Sequence, residues 1–285
     1  MTASHCRSGL ALFLLAALPA IADSTWTEPF PAYRIVGNLY YVGSRGLASF
    51  LIATPAGNIL INSDLQNSPP LIRASVQKLG FRWSDTKILL ISHAHYDHCA
   101  GSAEIKRETG ARYMVMAPDV PVVESGGAGD FQYGHDAAMR YPPAKVDRAL
   151  HDGDQVTLGG VVLTAHLTPG HTKGCTTWTL NVPDGGRTYR VVIVGSPYLN
   201  PGYKLVHNAQ YPQIAQDYEH GFRVLAALPC DIFLGAHGGY YDMEQKYARM
   251  KAGAKNAFLD PDGYARFVRE KEAAFRQELA RQGGR

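Results

Sequence analysis

The chain has 285 residues, of which 46% are hydrophobic and 19% charged, and its formal net charge at pH 7 is +3. This composition is that of an ordinary globular protein and excludes a largely disordered chain. A net charge this small gives no indication of a nucleic-acid partner or of an acidic surface as a target.

The N-terminal residues carry the pattern of a secretory signal. His5 and Arg7 precede an apolar stretch over residues 10–21, and Ala20-Ile21-Ala22 fits the small-residue cleavage pattern. A buried helix or a membrane anchor is the alternative, but the stretch is shorter than the roughly 20 apolar residues that span a bilayer. We therefore predict a signal peptide over residues 1–22 and a periplasmic mature protein without a membrane segment.

Short apolar runs of β-type residues recur through the rest of the chain. They predict strands at residues 39–42, 49–53, 59–62, 88–92, 161–167, 176–180, 191–194 and 232–234. Helical patterns occur at residues 70–79, 211–228, 243–252 and 264–282. This mixture indicates an α/β protein with two sheets inside and helices outside, in a single domain over residues 23–285. Three glycines, Gly126, Gly127 and Gly129, predict a flexible loop between Met116 and Asp147.

Cysteine usage excludes a scaffold built on disulfides. Cys6 lies in the predicted signal, which leaves Cys99, Cys175 and Cys230 in a compartment where disulfides form. Because three is an odd number, at least one thiol stays free or pairs between chains.

The densest group of metal-binding residue types follows the strand predicted at 88–92, in the run His93-Ala94-His95-Tyr96-Asp97-His98. Residues two apart at a strand end point the same way, so His93 and His95 are expected to reach one ion. Asp97 and His98 then face a second ion. A catalytic zinc takes three protein ligands and leaves one position open, so two zinc ions need about six ligands.

Two further histidines have the right placement to complete this set. His171 lies in a tight Pro-Gly turn after the strand that ends near Leu167, and His237 directly follows the buried-type strand 232–234. The other histidines lack such a position, and we interpret His166 and His220 as structural.

These residues resemble the motif of the metallo-β-lactamase superfamily, His-x-His-x-Asp-His followed by two distant histidines. The resemblance covers nearly the whole chain after the signal. It implies an αββα four-layer sandwich with metals at one edge of the two sheets. The superfamily contains thiolesterases, lactonases, nucleases and β-lactamases, so the motif alone leaves the substrate open.

One position narrows the choice. In glyoxalase-type thiolesterases and lactonases an Asp bridges both metals after the strand preceding the last long helix, and in another β-lactamase subclass that position is Cys. Here it is Ser196. Ser196 together with His98 resembles subclass B3, and residues 170–178, 201–203 and 228–231 look like those of FEZ-type members.

The resemblance implies two Zn²⁺ ions per chain, the first bound by His93, His95 and His171 and the second by Asp97, His98 and His237. A zinc-bridging hydroxide is then the nucleophile that opens the β-lactam amide, with Asp97 orienting it or relaying a proton. The Tyr203 hydroxyl is expected to polarise the developing oxyanion and contact substrate, and Ser196 to bind the substrate carboxylate. The structural alternatives are a turn residue for Ser196 and a packed aromatic for Tyr203.

The predicted function is hydrolysis of penicillins, cephalosporins and carbapenems, which confers antibiotic resistance, by a monomer whose partner is the small β-lactam substrate. A lactonase or thiolesterase with the same site is the main alternative, and a non-catalytic periplasmic zinc-binding protein is the second.

Asn62 and Asp64 are expected to orient a ligand histidine. Relatives pair a Cys at the position of Cys230 with one near the last helix, where this chain has Gly263-Tyr264, so no such disulfide is expected.

Overall fold

The computed structural model describes residues 24–284, so the predicted signal segment lies outside the described residues. The strands, numbered in chain order, are β1 Tyr33–Val36, β2 Leu39–Tyr41, β3 Phe50–Thr54, β4 Gly57–Ile61, β5 Thr86–Leu90, β6 Arg112–Met116, β7 Arg148–Leu150, β8 Gln155–Leu158, β9 Val161–Leu167, β10 Thr176–Asp184, β11 Arg187–Val194 and β12 Ile232–Gly235. The helices are α1 Pro69–Lys78, α2 Tyr96–Cys99, α3 Ser102–Thr109, α4 Val120–Glu124, α5 Ile214–Ala227, α6 Met243–Lys251 and α7 Pro261–Gly283.

The first sheet contains β1 to β7 in sequence order, antiparallel from β1 to β4 and parallel from β4 to β7. Its strands are apolar on both faces because both are covered. In β4, Ile59 and Ile61 belong to the core between the sheets, whereas Leu60 belongs to the core beneath α1 and α3. The same alternation puts Ile88 and Leu90 of β5 between the sheets.

The second sheet has the order β12-β11-β10-β9-β8, and only the β11–β12 pair is parallel. Helices α5 and α7 pack on each other and on the outer side of this sheet. Phe222 of α5 and Phe275 of α7 bury their rings against one another, with centroids 5.6 Å apart. The layers are therefore helix, sheet, sheet, helix, which confirms the predicted αββα sandwich.

The carboxyl ends of several strands meet at one edge of the sandwich. Strands β9, β11 and β12 run in the same direction, since β9 and β11 are both antiparallel to β10. Backbone hydrogen bonds from Thr176 N to the Ser92 carbonyl, 2.7 Å, and from Ala48 N to the Ala236 carbonyl, 2.9 Å, join the two sheets there. The chain segments that follow β5, β9, β11 and β12 consequently lie side by side.

The structure departs from the sequence prediction in two segments at this edge. Strand β5 ends at Leu90 rather than at the predicted residue 92, and Asp97 and His98 lie in the short helix α2, for which no helix was predicted. The predicted flexible loop after Met116 contains α4 and two tight glycine turns, with Gly126 and Gly127 at φ +62° and +88°. Among residues 24–284, no helix is both long and apolar enough to cross a bilayer.

Candidate metal centre

Three buried histidines from two loops form one half of the site. The ring centroid of His93 lies 4.9 Å from that of His95 and 4.6 Å from that of His171, and the last two are 4.7 Å apart. Each offers a ring nitrogen within 4.8 Å of the other two. These three residues are called the first group.

A carboxylate and two histidines form the other half. Oδ2 of Asp97 lies 3.1 Å from Nε2 of His98 and 3.4 Å from Nε2 of His237, and the two nitrogens are 3.1 Å apart. These residues are called the second group. His93 borders both groups, because it also has a potential ligand atom within 4.8 Å of those of Asp97 and His98. The structure thus brings together all six residues that the sequence selects.

The spacing and the donor types fit a metal ion. A tetrahedral zinc with ligands at about 2.0–2.1 Å separates neighbouring ligand atoms by about 3.3 Å, close to the 3.1, 3.1 and 3.4 Å in the second group. In the first group, Nε2 of His93 is buried without a hydrogen-bond partner among residues 24–284. A buried nitrogen in that state is costly unless a cation binds it. Imidazole and carboxylate ligands together indicate metal binding.

The protonation states of His93, His171 and Asp97 favour metal binding. Burial lowers the pKa of His93 and of His171 well below the ordinary histidine value, and neighbouring histidines lower both further. Both rings are therefore neutral at pH 7, the form that binds metals. Burial opposes the ionisation of Asp97, but His98 and His237 outweigh it and hold the pKa of Asp97 well below its usual range.

Asp119, which the sequence analysis missed, ties together the two loops that carry the first group. Its buried carboxylate accepts hydrogen bonds from Ala94 N at 2.9 Å, Thr172 Oγ1 at 2.8 Å and Gly174 N at 2.7 Å. Gly174 leaves the space for it, since a Cβ there would lie 2.7 Å from Asp119. Its position in the sequence could have indicated this role, because Asp119 closely follows β6 and the ends of the parallel neighbours β5 and β6 lie at the same edge of the sheet.

A backbone carbonyl and a side-chain hydroxyl lie beside two rings of the first group. Nδ1 of His171 donates to the Tyr198 carbonyl at 2.8 Å, which leaves its Nε2 for the cluster. Nδ1 of His93 lies 3.3 Å from the Ser92 hydroxyl. Asn62, predicted to support a ligand histidine, accepts from Ser92 N at 2.8 Å and so fixes the chain just before His93.

Asp64 is buried beside the second group. Its Oδ2 accepts from the Ser49 hydroxyl at 2.9 Å. Burial raises the pKa of Asp64 to about 7, against the opposing effect of His98. Its other oxygen, Oδ1, and Nδ1 of His98 both lack hydrogen-bond partners among residues 24–284, so the predicted support of a ligand histidine by Asp64 stays a prediction.

The structure corrects the role predicted for Tyr203. Its hydroxyl donates to the His171 carbonyl at 2.8 Å, and the side chain is buried beneath the cleft floor rather than lining it. A hydroxyl committed to a backbone carbonyl is not available to an oxyanion. Phe131 and Tyr133 pack against the ring and hold it in this position.

Ser196 also differs from its predicted role. The side chain is buried, and Oγ lies 3.1 Å from the Tyr240 hydroxyl. Its backbone N–H points at the sulfur of Cys175, 3.2 Å away. Oγ also accepts from Tyr198 N at 3.4 Å, so Ser196 contacts two residues that line the cleft, Tyr198 and Tyr240, without lining it itself.

An open cleft of about 660 Å³ lies over the two groups. That volume is in the range of small-molecule sites. Its walls are largely aromatic, and the lining includes His95, Asp97, His171 and His237 together with Trp26, Tyr96, Tyr133, Tyr198 and Tyr240. Arg45 is the cation in the lining, and it already pairs with Glu28 and Glu244.

The cysteines behave as the sequence predicts. Cys99, Cys175 and Cys230 are free and buried, and burial raises the pKa of Cys175 and Cys230 to about 12.

His166, which the sequence analysis interprets as structural, lies within the second sheet. Its Nε2 is 2.8 Å from the Thr179 hydroxyl.

Comparison with known proteins agrees with this architecture. The sequence profile of the metallo-beta-lactamase superfamily matches residues 45–237. The native FEZ-1 metallo-beta-lactamase from Legionella gormanii is 56% identical, with a TM-score of 0.89, over 90% of this chain and 98% of that one. The class B3 di-zinc metallo-beta-lactamase LRA-12, from an Alaskan soil metagenome, is 35% identical, with a TM-score of 0.87, over 91% of this chain and 98% of that one.

Curated sequence relatives match over a shorter range. A hydroxyacylglutathione hydrolase of Rhodopseudomonas palustris strain BisB5 is 32% identical over 123 residues, which are 43% of this chain. The match spans 39% of that relative's length. With the αββα sandwich, the histidine cluster and these similarities, the chain belongs to the metallo-β-lactamase superfamily and, within it, is a hydrolase of the subclass B3 type.

Proposed function

We propose that the protein is a two-zinc β-lactamase that hydrolyses the amide bond of penicillins, cephalosporins and carbapenems. The observation that carries the proposal is the convergence of six metal-binding side chains under an open cleft, in a chain 56% identical to FEZ-1. The di-zinc composition of LRA-12, a class B3 neighbour, supports the metal count.

The ligand assignment follows the two groups. His93, His95 and His171 would hold the first zinc, and Asp97, His98 and His237 the second. The second set is favoured over one that includes His93 because its three ligand atoms lie within 3.4 Å of one another. His93 then remains with His95 and His171 in the first group.

Bound zinc would supply a water of lowered pKa and a Lewis acid for the amide carbonyl. The side chains of the protein do the rest. Ionised Asp97, which lines the cleft, can accept a hydrogen bond from that water and orient it, whereas its low pKa makes it a weak proton acceptor. The aromatic walls, which include Tyr133, Tyr198 and Tyr240, offer flat surfaces to a fused-ring substrate.

A thiolesterase is the second candidate, because the curated relatives are hydroxyacylglutathione hydrolases. The residue after β11 argues against it. Ser196 stands where those enzymes are expected to have a bridging carboxylate, and its neutral hydroxyl is directed to Tyr240 instead. A hydroxyl is a poor substitute for a carboxylate between two cations.

A substrate panel separates the candidates. The purified protein is assayed with a chromogenic cephalosporin, a penicillin, a carbapenem, a lactone and a glutathione thioester, before and after chelation. We expect turnover of the β-lactams that the chelator abolishes and added zinc restores. Hydrolysis of only the lactone or the thioester would overturn the proposal.

We also propose that residues 1–22 direct export to the periplasm and that the enzyme confers resistance there. Fractionation of expressing cells should place β-lactamase activity in the periplasm, and the minimal inhibitory concentration of a cephalosporin should rise. A variant without residues 2–22 should keep activity in the cytoplasm and lose protection. Equal protection by both forms would contradict export.

A further inference from the structure

A buried carboxylate faces the ring of His95, a histidine of the first group. Oδ2 of Asp130 lies 3.6 Å from Nε2 of His95, and the two side chains are 4% and 7% exposed. No other polar atom of residues 24–284 hydrogen-bonds to that nitrogen. A small movement of the ring would let this carboxylate accept a hydrogen bond from Nε2–H. Water has little access to either group because both side chains are buried.

The second oxygen of Asp130 explains why the carboxylate keeps this direction. Oδ1 accepts from the backbone N–H groups of Gln132, at 2.8 Å, and Tyr133, at 2.6 Å. These two bonds fix the side-chain rotamer and leave Oδ2 directed towards His95. One oxygen of the carboxylate therefore stabilises its own turn, and the other faces the ring of His95.

The loop that carries Asp130 also contacts His95 and its neighbour by other routes. The ring of Tyr133 packs edge-on against His95 with centroids 5.3 Å apart, and the Tyr141 hydroxyl donates to the Ala94 carbonyl at 2.8 Å. A Cβ on Gly126 would lie 2.3 Å from the Tyr141 carbonyl oxygen, and one on Gly134 2.5 Å from that of Asp130. These glycines permit close packing of the loop rather than its movement.

We propose that Asp130 is a positioning residue that fixes the ring of His95 for metal binding and so makes the loop over residues 126–141 part of the first metal position. With Nε2–H donating to Asp130, the ring presents Nδ1 to the metal. A carboxylate behind a ligand histidine sets its tautomer and raises its basicity. The proposal rests on the ligand role of His95 in the proposed function.

The test replaces Asp130 with Asn. Asp130→Asn keeps an oxygen for the Gln132 and Tyr133 N–H groups but turns an NH₂ group towards His95, which cannot accept the ring proton. The matched control is Asp136→Asn, in the same loop, where an exposed Asp accepts from Ala138 N at 2.9 Å. Zinc affinity is measured by competition with a chromophoric chelator, and the unfolding of each metal-free protein is followed by circular dichroism.

We expect Asp130→Asn to weaken the affinity for one zinc by about 10- to 100-fold, while its metal-free unfolding and the affinity for the other zinc match those of the wild type. Asp136→Asn should bind zinc as the wild type does. Unchanged affinity in Asp130→Asn, or an equal loss in Asp136→Asn, would overturn the proposal. If Asp130→Asn does not fold, Asp130→Ser, whose hydroxyl can still accept from the turn, is measured against the same two outcomes. Because the readout is zinc affinity, it decides the role of Asp130 whether or not the wild type hydrolyses a β-lactam.

Discussion

The two groups of metal-facing side chains differ in how the protein holds them. In the first group the protein supplies a partner near each ring, namely the Ser92 hydroxyl for His93, Asp130 for His95 and the Tyr198 carbonyl for His171. In the second group the ligand atoms lie 3.1 to 3.4 Å from one another, and the His237 side chain is 20% exposed.

This difference indicates two kinds of metal position. The first is organised before metal arrives, since the rings of His93 and His171 are neutral and buried groups lie beside all three rings. The second depends on the attraction between the Asp97 carboxylate and its two histidines, and binding of a cation replaces that attraction. We therefore expect mutations behind the first group to act through the fold or through the orientation of its rings, and mutations near the second to act through metal or substrate.

The largest effect is expected from removing a ligand of either group. His95→Ala and Asp97→Ala should each lower kcat/KM by roughly 10³-fold or more, because a bound metal supplies several kcal/mol of transition-state stabilisation. Zinc content measured by plasma emission should fall in parallel. His220→Ala, a helical histidine outside the cleft, is the control. Full turnover by either variant would contradict the claim that both groups bind a catalytic metal.

Asp119→Ala tests whether the first group depends on the fold. Three buried donors would lose their acceptor, so the free energy of unfolding of the metal-free protein should fall by about 3 kcal/mol or more. Urea unfolding measures this, with the exposed Asp136→Ala as the control. A loss below about 1 kcal/mol would show that the loops of His93 and His171 do not need this carboxylate.

Trp26→Ala probes the open side of the second group. The indole ring lies 5.9 Å from His237 and 6.1 Å from Tyr96, on the wall of the cleft. Loss of its apolar contact, about 1–2 kcal/mol, should raise KM for a cephalosporin with a bulky apolar substituent by about 5- to 30-fold. Trp26→Phe should retain most of the affinity, and metal-free stability should barely change. A lower kcat with unchanged KM would contradict a wall contact.

The smallest effect is expected from Tyr203→Phe. The variant loses one hydrogen bond to the His171 carbonyl, worth about 1 kcal/mol, and kcat should fall less than about 10-fold. An oxyanion role would instead cost about 10²- to 10³-fold in kcat. Steady-state kinetics on one cephalosporin distinguishes the two results and so tests the correction made from the structure.

The metal-facing residues could be located from the sequence because each follows a recognisable strand. His171 and His237 come shortly after β9 and β12, and the cluster from His93 to His98 comes after β5. The apolar patterns also placed the long helices α5 and α7, within a few residues of their observed ends.

What the sequence missed depends on contacts between distant segments. Asp119 meets Thr172 and Gly174 across 53 and 55 residues, and no local pattern reports such a pairing. Tyr203 is placed by its bond to His171 across 32 residues, so its sequence context did not reveal that the hydroxyl is occupied. Short α2 was not predicted either, because four residues carry too little periodicity.

The central claim is that two metals divide the six side chains into His93, His95 and His171 on one side and Asp97, His98 and His237 on the other. Anomalous diffraction at the zinc edge from crystals of the zinc-loaded wild-type protein tests it most directly. The account predicts two peaks, one within bonding distance of each set. A single peak, or a second peak bound by His93 in place of His237, would contradict it.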